Sequence, residues 1–380
     1  RKKICLPCIK KMCNFFLSFL KSLYNLVYLN LLFKKNKNKK KIFFYFPRKD
    51  LTYKDLNYFL FLFKKLNRKY TIIYGHNVKN LNKKNFYFIT ENFLPYLKSE
   101  IFISNYICRN FPKNSKKIYL HHCIYDTPLT GIDKEKETFN SLLNYNYIFL
   151  SSQKMIQSFH NYFNLDKIDK IKFFSSGYPR LDYLEKKSKF IRKKNSIILA
   201  IANIIAYPDH SIIKNLIDIV KVINLNFNYD IILRPHPSNR KIFNNQNFSK
   251  LFDLINQNKN IKVDFRDNYL ESYNKSLLMI TDISGTAYTF SFLTGSPVLF
   301  FSRNEKKAVQ NYSNLKHFQD RKKIGYITND LDNLKNIVKK LIKNKNNIKK
   351  KIFILKKQRL DFIGKTQDRF SKLIQMISEN

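Results

Sequence analysis

Two adjacent histidines close one of the apolar runs of this sequence, in the stretch "IYLHHCIYD". A histidine can take up a proton near neutral pH, so His121 or His122 could act as a general base at the end of a strand. Neighbouring residues on a strand point to opposite faces, so we expect at most one of them to face a given site. The alternative is a core or surface histidine that is held by ordinary hydrogen bonds.

A second group of side chains suits the binding of phosphate. In "IILRPHPSNR", Arg234 and His236 end an apolar run, and prolines on both sides of His236 stiffen the loop. Arginine can bind phosphate oxygens bidentately, and histidine can donate a hydrogen bond to them. A structural salt bridge is the alternative for Arg234. In "FFSSGYPRLDYL", Arg180 and Asp182 follow a turn made by glycine and proline.

The stretch "TDISGTAYTFSFLTGSP" passes from an apolar run directly into a predicted helix. Ser284, Gly285 and Thr286 fall at the start of that helix, and Gly295 and Pro297 are expected to end it. Backbone N–H groups and hydroxyls at a helix N-terminus can bind an anion without a cationic side chain. The alternative is an N-cap with no further role.

The elements that carry these side chains are predicted from thirteen nearly continuous apolar runs, which are typical of strands buried on both faces. A first series lies at residues 42–46, 71–75, 86–90, 101–104, 118–122, 147–152 and 171–177, and a second at 196–203, 229–237, 261–265, 277–284, 297–302 and 324–328. Helix-like segments fill the gaps, which is the βαβ rhythm. We therefore expect an α/β fold with two Rossmann-like domains that face a cleft. Ligands of such sheets bind beyond the carboxyl ends of the strands.

The 380 residues are long enough for two domains. We predict a basic and apolar membrane-associating segment at 1–40, an N-terminal Rossmann-like domain at 41–184 and a charged linker at 185–195. A C-terminal Rossmann-like domain follows at 196–329, and C-terminal helices at 330–380. Residues 14–33 are apolar over about one membrane width, with basic residues on both sides. Attachment to a membrane surface is the preferred interpretation, with a spanning helix or packing on the protein as alternatives.

The net charge of +44 comes mostly from lysines that are spread along the whole chain. We interpret much of it as compositional bias on solvated faces, although a nucleic-acid-binding protein stays an alternative. The sequence contains no G-x-G-x-x-G, no G-x-x-x-x-G-K-[ST] and no pair of C-x-x-C motifs at metal-binding spacing, so dinucleotide, P-loop and zinc sites are poorly supported. Its five cysteines are expected to be free thiols in a reducing compartment.

Taken in order, "HHC…TPL", "GYPRLD", "RPHP" and "TDISGT" resemble the motifs of the CDP-glycerol glycerophosphotransferase family, the teichoic-acid polymerase and primase relatives with a GT-B-like fold. The resemblance covers roughly residues 115 to 305. It implies transfer of a polyol phosphate, such as glycerol phosphate, from a CDP-activated donor to a hydroxyl of a membrane-associated or cell-surface polymer, such as a teichoic acid or a capsule. It implies a peripheral enzyme at the cytoplasmic face of the cell membrane, without metal or other cofactor.

The resemblance also implies roles for individual residues. His122 matches the family's first histidine and would be the base that removes the proton of the acceptor hydroxyl, with His121 as the reserve. Cys123 replaces the glycine of the family motif, and the Thr-Pro-Leu that usually follows closely comes later, at 127–129.

His236 matches the second histidine of the family and, with Arg234, is expected near the donor pyrophosphate. Arg180 and Asp182 match the G-Y-P-R-x-D motif and are expected to shape the cleft. The D-x-S-[SG] motif implies a donor-phosphate site that consists of Asp282, Ser284, Gly285 and Thr286. The segment "IANIIAYPDH" departs from the Pro-Thr-aromatic-Arg pattern that the family often has, so the donor stays open.

Three alternatives remain at this stage. A GT-B glycosyltransferase would use a nucleotide sugar and form a glycosidic bond for a surface polysaccharide. A basic nucleic-acid-binding protein would carry its Lys and Arg in one continuous stripe on the surface. We do not expect this protein to have a nucleic-acid partner. A non-catalytic membrane scaffold would keep the fold without the chemistry.

Overall fold

The computed structural model describes residues 6–35, 41–46, 57, 60–66, 70–74, 86–121, 123–125, 140–163, 170–188, 194–204, 207–239, 249–266 and 268–379. Within these residues lie thirteen strands that form two sheets, and all the strand pairs are parallel. Each strand overlaps one of the thirteen apolar runs. The predicted fold class, two α/β domains with parallel sheets, is confirmed.

The first sheet contains β1 (Ile42–Phe46), β2 (Tyr70–Tyr74), β3 (Phe86–Phe88), β4 (Ile101–Ser104), β5 (Lys116–Leu120), β6 (Tyr147–Leu150) and β7 (Lys172–Ser175). Their order across the sheet is β3-β2-β1-β4-β5-β6-β7. Every residue of β1 and β4 is buried, which explains why these strands have no polar alternation. Strand β5 ends at Leu120, so His121 follows the strand.

The second sheet contains β8 (Ser196–Ile201), β9 (Asp230–Pro235), β10 (Ile261–Val263), β11 (Ser276–Thr281), β12 (Val298–Phe301) and β13 (Gly325–Thr328). Their order is β10-β9-β8-β11-β12-β13. The chain therefore winds outward from β8 in one direction and then returns to begin again at β11. Such a reversal leaves a crevice at the carboxyl ends of the two neighbouring strands, where doubly wound sheets bind their ligands.

The helices surround these strands. The structure contains α1 (Leu6–Lys35), α2 (Gln153–Phe163), α3 (Pro179–Lys187), α4 (Leu216–Asn226), α5 (Ser249–Gln257), α6 (Leu270–Lys275), α7 (Thr286–Thr294), α8 (Glu305–Tyr312), α9 (Lys316–Gln319), α10 (Arg321–Ile324), α11 (Leu334–Lys343), α12 (Lys345–Arg359) and α13 (Thr366–Glu379). Short 3₁₀ helices cover Glu91–Tyr96, Ile212–Asn215 and Pro237–Asn239.

The chain divides into two compact units, each built around one sheet. The first comprises Arg1–His122, Asp133–Pro179 and Gly364–Asn380, and the second comprises Cys123–Ile132 and Arg180–Ile363. Helix α3 continues to Lys187, within the stretch expected to be a linker.

The predicted helical C-terminal tail is present and is shared between the units. In the second unit, α11 buries Leu334, Val338 and Leu341, and α12 buries three further aliphatic side chains. Helix α13 belongs to the first unit. There the ring of its Phe370 lies 6.0 Å from that of Phe63. The tail is thus part of both cores.

Helix α1 packs on the first unit along one side only. Ser22, Leu26 and Leu29 are buried, and the side chains of Asn25 and Asn30 donate to the carbonyl oxygens of Phe88 and Tyr96, at 2.9 and 3.0 Å. Eleven large apolar residues of α1 are nevertheless exposed: Phe15, Phe16, Leu17, Phe19, Leu20, Leu23, Tyr24, Val27, Tyr28, Leu31 and Leu32. Two of them, Phe19 and Tyr28, also contact the first unit, since their rings lie 5.2 Å from Phe93 and 5.8 Å from Tyr87. The segment Cys13–Leu32 is long and apolar enough to cross a membrane.

Candidate functional site

The carboxyl ends of β8, β9 and β11 bring two of the sequence motifs to one edge of the second sheet. Strand β8 lies between β9, which carries the Arg234 motif, and β11, which leads into the Asp282 motif. The reversal of strand order falls between β8 and β11. This edge is therefore where the topology predicts a ligand site, and the polar side chains at it are described one by one below.

Arg234 is held at the end of β9 by a buried carboxylate. Its Nη1 donates to Oδ2 of Asp264 at 2.7 Å, and its Nη2 donates to the carbonyl oxygen of Arg266, also at 2.7 Å. Burial opposes ionisation of Asp264, but hydrogen bonds from Arg266 and Ser272 and the charge of Arg234 lower its pKa overall. The salt bridge considered as an alternative for Arg234 is thus present, and it fixes the direction of the guanidinium group.

Tyr269 joins the Arg234 motif to the Arg180 motif. The Nε–H of Arg180 donates to the phenolic oxygen of Tyr269 at 3.0 Å. The guanidinium carbons of Arg180 and Arg234 lie 5.6 and 5.5 Å from the centroid of the Tyr269 ring, within cation–π range. Two motifs that are far apart in the sequence therefore meet at one aromatic ring.

The turn before Arg180 has the conformation that its sequence predicts. Gly177 has φ of 72°, a left-handed conformation that favours glycine. Pro179 is the first residue of α3, where the missing N–H is not needed. Asp182 lies in the first turn of α3 and is buried. Arg180 is the second residue of the same helix.

Tyr273, one helical turn after Tyr269, connects the third motif to the same cluster. Its hydroxyl lies 2.5 Å from Oγ1 of Thr286, and the rings of Tyr269 and Tyr273 lie 4.6 Å apart. Burial raises the pKa of Tyr273 to about 12, so the phenol stays protonated at neutral pH. Arg180, Arg234 and Thr286 are therefore linked through two tyrosines of one segment.

His236 follows β9 and has a defined tautomer. The backbone N–H of Ser238 donates to its Nδ1 at 3.2 Å, and the Ser238 hydroxyl lies 2.6 Å from the same nitrogen. A backbone N–H can only donate, so Nδ1 is the acceptor and the proton of the neutral ring is on Nε2. In this form His236 can donate a hydrogen bond to a phosphoryl oxygen through Nε2.

Asp282 is buried at the end of β11 and faces backbone N–H groups. Its carboxylate accepts from Ala202 at 3.2 Å and from Ile212 at 3.4 Å. Burial raises its pKa to about 7, against the opposing effect of these N–H groups. Asn239 holds the same loop from the other side, since its Nδ2 donates to the carbonyl oxygen of Ala202 at 2.6 Å. The geometry makes Asp282 a residue that positions the loop after β8.

Helix α7 begins at the end of the same motif without a side-chain cap. Gly285 is the N-cap residue and Thr286 is the first residue of the helix, so the N-cap position itself has no side chain that could accept from the first turn. Neither Ser284 nor Thr286 occupies the N-cap position. At the other end, Gly295 has φ of 66° and its N–H donates to Ser291 O at 2.8 Å, as predicted for a C-cap.

In the first unit, His121 lies buried just after β5. Its Nδ1 lies 2.9 Å from the carbonyl oxygen of Phe149, so Nδ1 carries the proton. Its Nε2 has no hydrogen-bond partner in the described part of the chain. Burial lowers the pKa of His121 to about 4, so the ring is neutral at pH 7. His122 and the Thr-Pro-Leu at 127–129 lie outside the described residues.

Sequence reasoning missed Tyr269, Tyr273 and Asp264. Each binds a residue of a predicted motif, yet none lies inside one. With 24 tyrosines in the chain, the spacing in "NYLESYN" did not distinguish these two. The signal that could have found them is their place directly before β11, where residues 269–273 lead into the strand that carries the Asp282 motif.

Comparisons with known proteins identify the family and the fold. The model of the family described as CDP-glycerol:poly(glycerophosphate) glycerophosphotransferase matches residues 27–369. The search of curated proteins gave no match. Among solved structures, the wall teichoic acid polymerase TagF is similar with a TM-score of 0.61 and 18% identity, over 95% of this chain and 98% of that one.

More distant solved structures share the fold. The UDP-GlcNAc 2-epimerase of Methanocaldococcus jannaschii, in complex with UDP-GlcNAc and UDP, has a TM-score of 0.54 and 14% identity over 90% of this chain and 100% of that chain. A glycosyltransferase from Rickettsia africae has a TM-score of 0.51 and 14% identity over 90% of this chain and 98% of that chain. Because the sequence identities are this low, these similarities show only that the fold is shared.

Proposed function

The chain belongs to the family of CDP-glycerol:poly(glycerophosphate) glycerophosphotransferases, and from this membership we propose that it transfers glycerol phosphate or a similar polyol phosphate from a CDP-activated donor. The proposed acceptor is a hydroxyl of a membrane-associated or cell-surface polymer, such as a teichoic acid. The family shows the class of enzyme, a glycerophosphate transferase. Donor and acceptor are the part proposed here.

The observation that carries the proposal is the cluster around Tyr269 and Tyr273. It holds Arg180, Arg234 and Thr286 in one network, so residues of three separate sequence motifs meet at one cluster. A diphosphate donor needs fixed positive or dipolar groups at its phosphoryl oxygens. Two guanidinium groups and the N-terminus of α7 are groups of that kind.

The proposed reaction is an attack of the acceptor hydroxyl on the β-phosphorus of the donor. A new bond forms between the acceptor oxygen and the β-phosphorus, and the bond from that phosphorus to the bridging oxygen breaks, so CMP leaves. His122 is assigned as the base that takes the hydroxyl proton, with His121 as the reserve. His236, with its proton on Nε2, is assigned to the developing charge on the donor phosphates.

The remaining site residues have supporting roles in this proposal. Ser284, Gly285 and Thr286 bind the donor phosphates at the start of α7. Asp282 positions the loop after β8, because its carboxylate accepts hydrogen bonds from the backbone N–H groups of Ala202 and Ile212. Arg180 and Asp182 shape the site. The first unit serves the acceptor and the second unit the donor nucleotide.

We also propose that the enzyme works as a peripheral protein at the cytoplasmic face of a membrane. Helix α1 exposes eleven large apolar side chains, and it is hydrogen-bonded to the first unit through Ser22, Asn25 and Asn30. A helix bound to a folded unit in this way along residues 22–30 fits the membrane interface better than a span. Binding to an anionic lipid surface agrees with the net charge of +44.

The test is to incubate the purified protein with a membrane fraction and, in turn, with CDP-glycerol and with UDP-sugars, and to follow the nucleotide released. The proposal expects CMP from CDP-glycerol and no UDP. Release of UDP alone would instead support a glycosyltransferase of the same fold. No turnover of any donor would favour a scaffold that has kept the fold without the activity.

A further inference from the structure

The second unit contains a cavity of about 770 Å³ that the proposed reaction does not use. It is lined by residues that precede β8, β9 and β12 and by the start of β11, including Lys194, Tyr229, Leu277 and Pro297. These are the amino ends of the strands. The cavity therefore lies at the edge of the sheet opposite to the candidate active site.

Four lysines line this cavity against one acidic residue. Lys194, Lys345, Lys349 and Lys356 contribute four positive charges, and Glu185 contributes one negative charge. Lys356 pairs with Glu185. Lys194 donates to the carbonyl oxygen of Thr294 at 3.0 Å and to Ser296 Oγ at 2.7 Å, so it interacts with the negative end of helix α7.

The positive charges of the other two lysines, Lys345 and Lys349, are not balanced in this way. Neither Lys345 nor Lys349 forms an ion pair in the described part of the chain. They lie four residues apart on α12, and like charges at this spacing destabilise a helix. Lys356, seven residues further, falls on the same face. Three lysines of α12 thus line the cavity.

Gly295 lets one of these lysines lie close to the backbone. A Cβ atom at Gly295 would come within 3.2 Å of Cγ and Cε of Lys349, so a larger residue would require a small shift of this side chain. The same glycine ends helix α7 with φ of 66°. Because Gly295 has no side chain, it can end the helix in the left-handed conformation, and the aliphatic part of Lys349 can lie against it.

The electrostatics of Lys194 show the consequence of this arrangement. Burial, followed by the nearby charges of Lys349 and Lys345, lowers its pKa to about 8. An anion placed among these ammonium groups would offset their repulsion and stabilise the charged form of Lys194. Glu185, the acidic residue of the cavity wall, is already paired with Lys356.

We propose that this cavity is a second anion site, which binds a phosphate-bearing ligand. Lysine is a common phosphate ligand, and several ammonium groups that line one cavity suit a phosphate monoester or diester. The cavity also has apolar walls, to which Phe292, Ile352 and Phe353 contribute. The phosphate can therefore come from a soluble ester or from the headgroup of an anionic lipid, and the experiment separates these two sources.

The test is isothermal titration of the full chain with two probes of the same headgroup. One is glycerol phosphate, and the other is dihexanoyl phosphatidylglycerol below its micelle concentration. The double variant Lys345→Gln with Lys349→Gln is compared with Lys350→Gln with Lys351→Gln. The control pair removes the same charge from exposed positions of the same helix outside the cavity.

The site predicts that the wild type and the control pair bind at least one probe, and that the cavity pair binds it at least about tenfold more weakly. Preference for the lipid probe identifies a headgroup, and equal binding identifies a soluble phosphate. No binding by the wild type, or equal weakening in both pairs, overturns the proposal. Because the readout is binding and not transfer, this result is independent of the proposed reaction.

Discussion

The Nε–H of Arg180 donates a hydrogen bond of 3.0 Å to the hydroxyl of Tyr269, a residue 89 positions further along the chain. The same ring lies 5.5 Å from the guanidinium carbon of Arg234. Tyr269 is thus shared by two arginines from two motifs. Asp264 fixes the direction of the Arg234 guanidinium group, and the Tyr269 hydroxyl holds Arg180 beside it.

Replacing Tyr269 by Phe keeps the ring beside Arg234 and removes the oxygen that holds Arg180. We expect kcat/KM for the CDP-activated donor to fall about tenfold, the cost of one hydrogen bond to a charged group. The matched control is Tyr326→Phe, at β13 of the same unit. Steady-state kinetics of both variants check this. Equal activity of the two variants would show that the Arg180 contact is unimportant.

The hydroxyl of Thr286 is expected to matter for the donor because Tyr273 holds it at 2.5 Å at the start of α7. Thr286→Val keeps the shape and removes the oxygen, and we expect about a tenfold loss of kcat/KM. Thr286→Ser restores the oxygen and should recover most of the activity. If the Ser variant is as impaired as the Val variant, the methyl group and its packing are what count.

Asp282→Asn is expected to destabilise the second unit. The variant replaces one acceptor oxygen with an NH₂ group that would face backbone N–H groups of Ala202 and Ile212. The expected loss is on the order of 1 to 3 kcal/mol in the free energy of unfolding, together with lost activity. Thermal denaturation measures it, with Asp218→Asn on the exposed side of α4 as control. An unchanged melting temperature for Asp282→Asn would contradict the positioning role.

The buried His121 predicts a pH dependence of stability in the first unit. Its pKa of about 4 is below the ordinary value of 6.5, so the unfolded chain binds more protons than the folded chain between these values. Its contribution is present above pH 6.5 and is lost as the pH falls toward 4.

His121→Phe removes this proton uptake while keeping a ring against Tyr178, whose centroid lies 5.4 Å away. In acid titrations followed by circular dichroism, we expect the wild type to lose stability more steeply between pH 6.5 and 4 than the variant. Parallel titration curves would mean that His121 is accessible to protons in the folded protein.

Membrane binding through α1 is tested by replacing two of its most exposed side chains. Phe15 and Phe16 are 76% and 60% exposed. Replacing both by Ser should weaken co-sedimentation with phosphatidylglycerol vesicles by about tenfold or more, because two aromatic side chains no longer enter the interface. Leu225→Ser, at an 82% exposed position of α4, is the control. Similar effects of both changes would argue against a specific membrane face on α1.

The strands were predictable because both faces of each sheet are covered. Runs such as Ile42–Phe46 contain only apolar residues, and no other common element combines that length with that composition. The positions of Arg234 and Asp282 at the carboxyl ends of β9 and β11 were predictable as well, because each ends or follows an apolar run. Their role in binding a donor stays a prediction.

The contacts between motifs could not be read from the sequence. Tyr269 contacts Arg180 and Tyr273 contacts Thr286 only once the chain is folded. The pairing of Arg234 with Asp264 also depends on where β10 ends beside β9. The inward direction of the Asp282 carboxylate likewise follows from the loop after β8. The division of the C-terminal helices between two units, with α13 in the first, depends on tertiary packing that periodicity does not encode.

The most direct test of the proposed reaction follows the β-phosphorus itself. CDP-glycerol labelled at the β-phosphate is incubated with the protein and a membrane fraction, and the label is traced among CMP, free glycerol phosphate and polymer. We predict that the label enters the polymer in equal amount to the CMP released, and that His236→Ala lowers this incorporation. Label that stays in intact CDP-glycerol, while a UDP-sugar is consumed under the same conditions, would contradict the account.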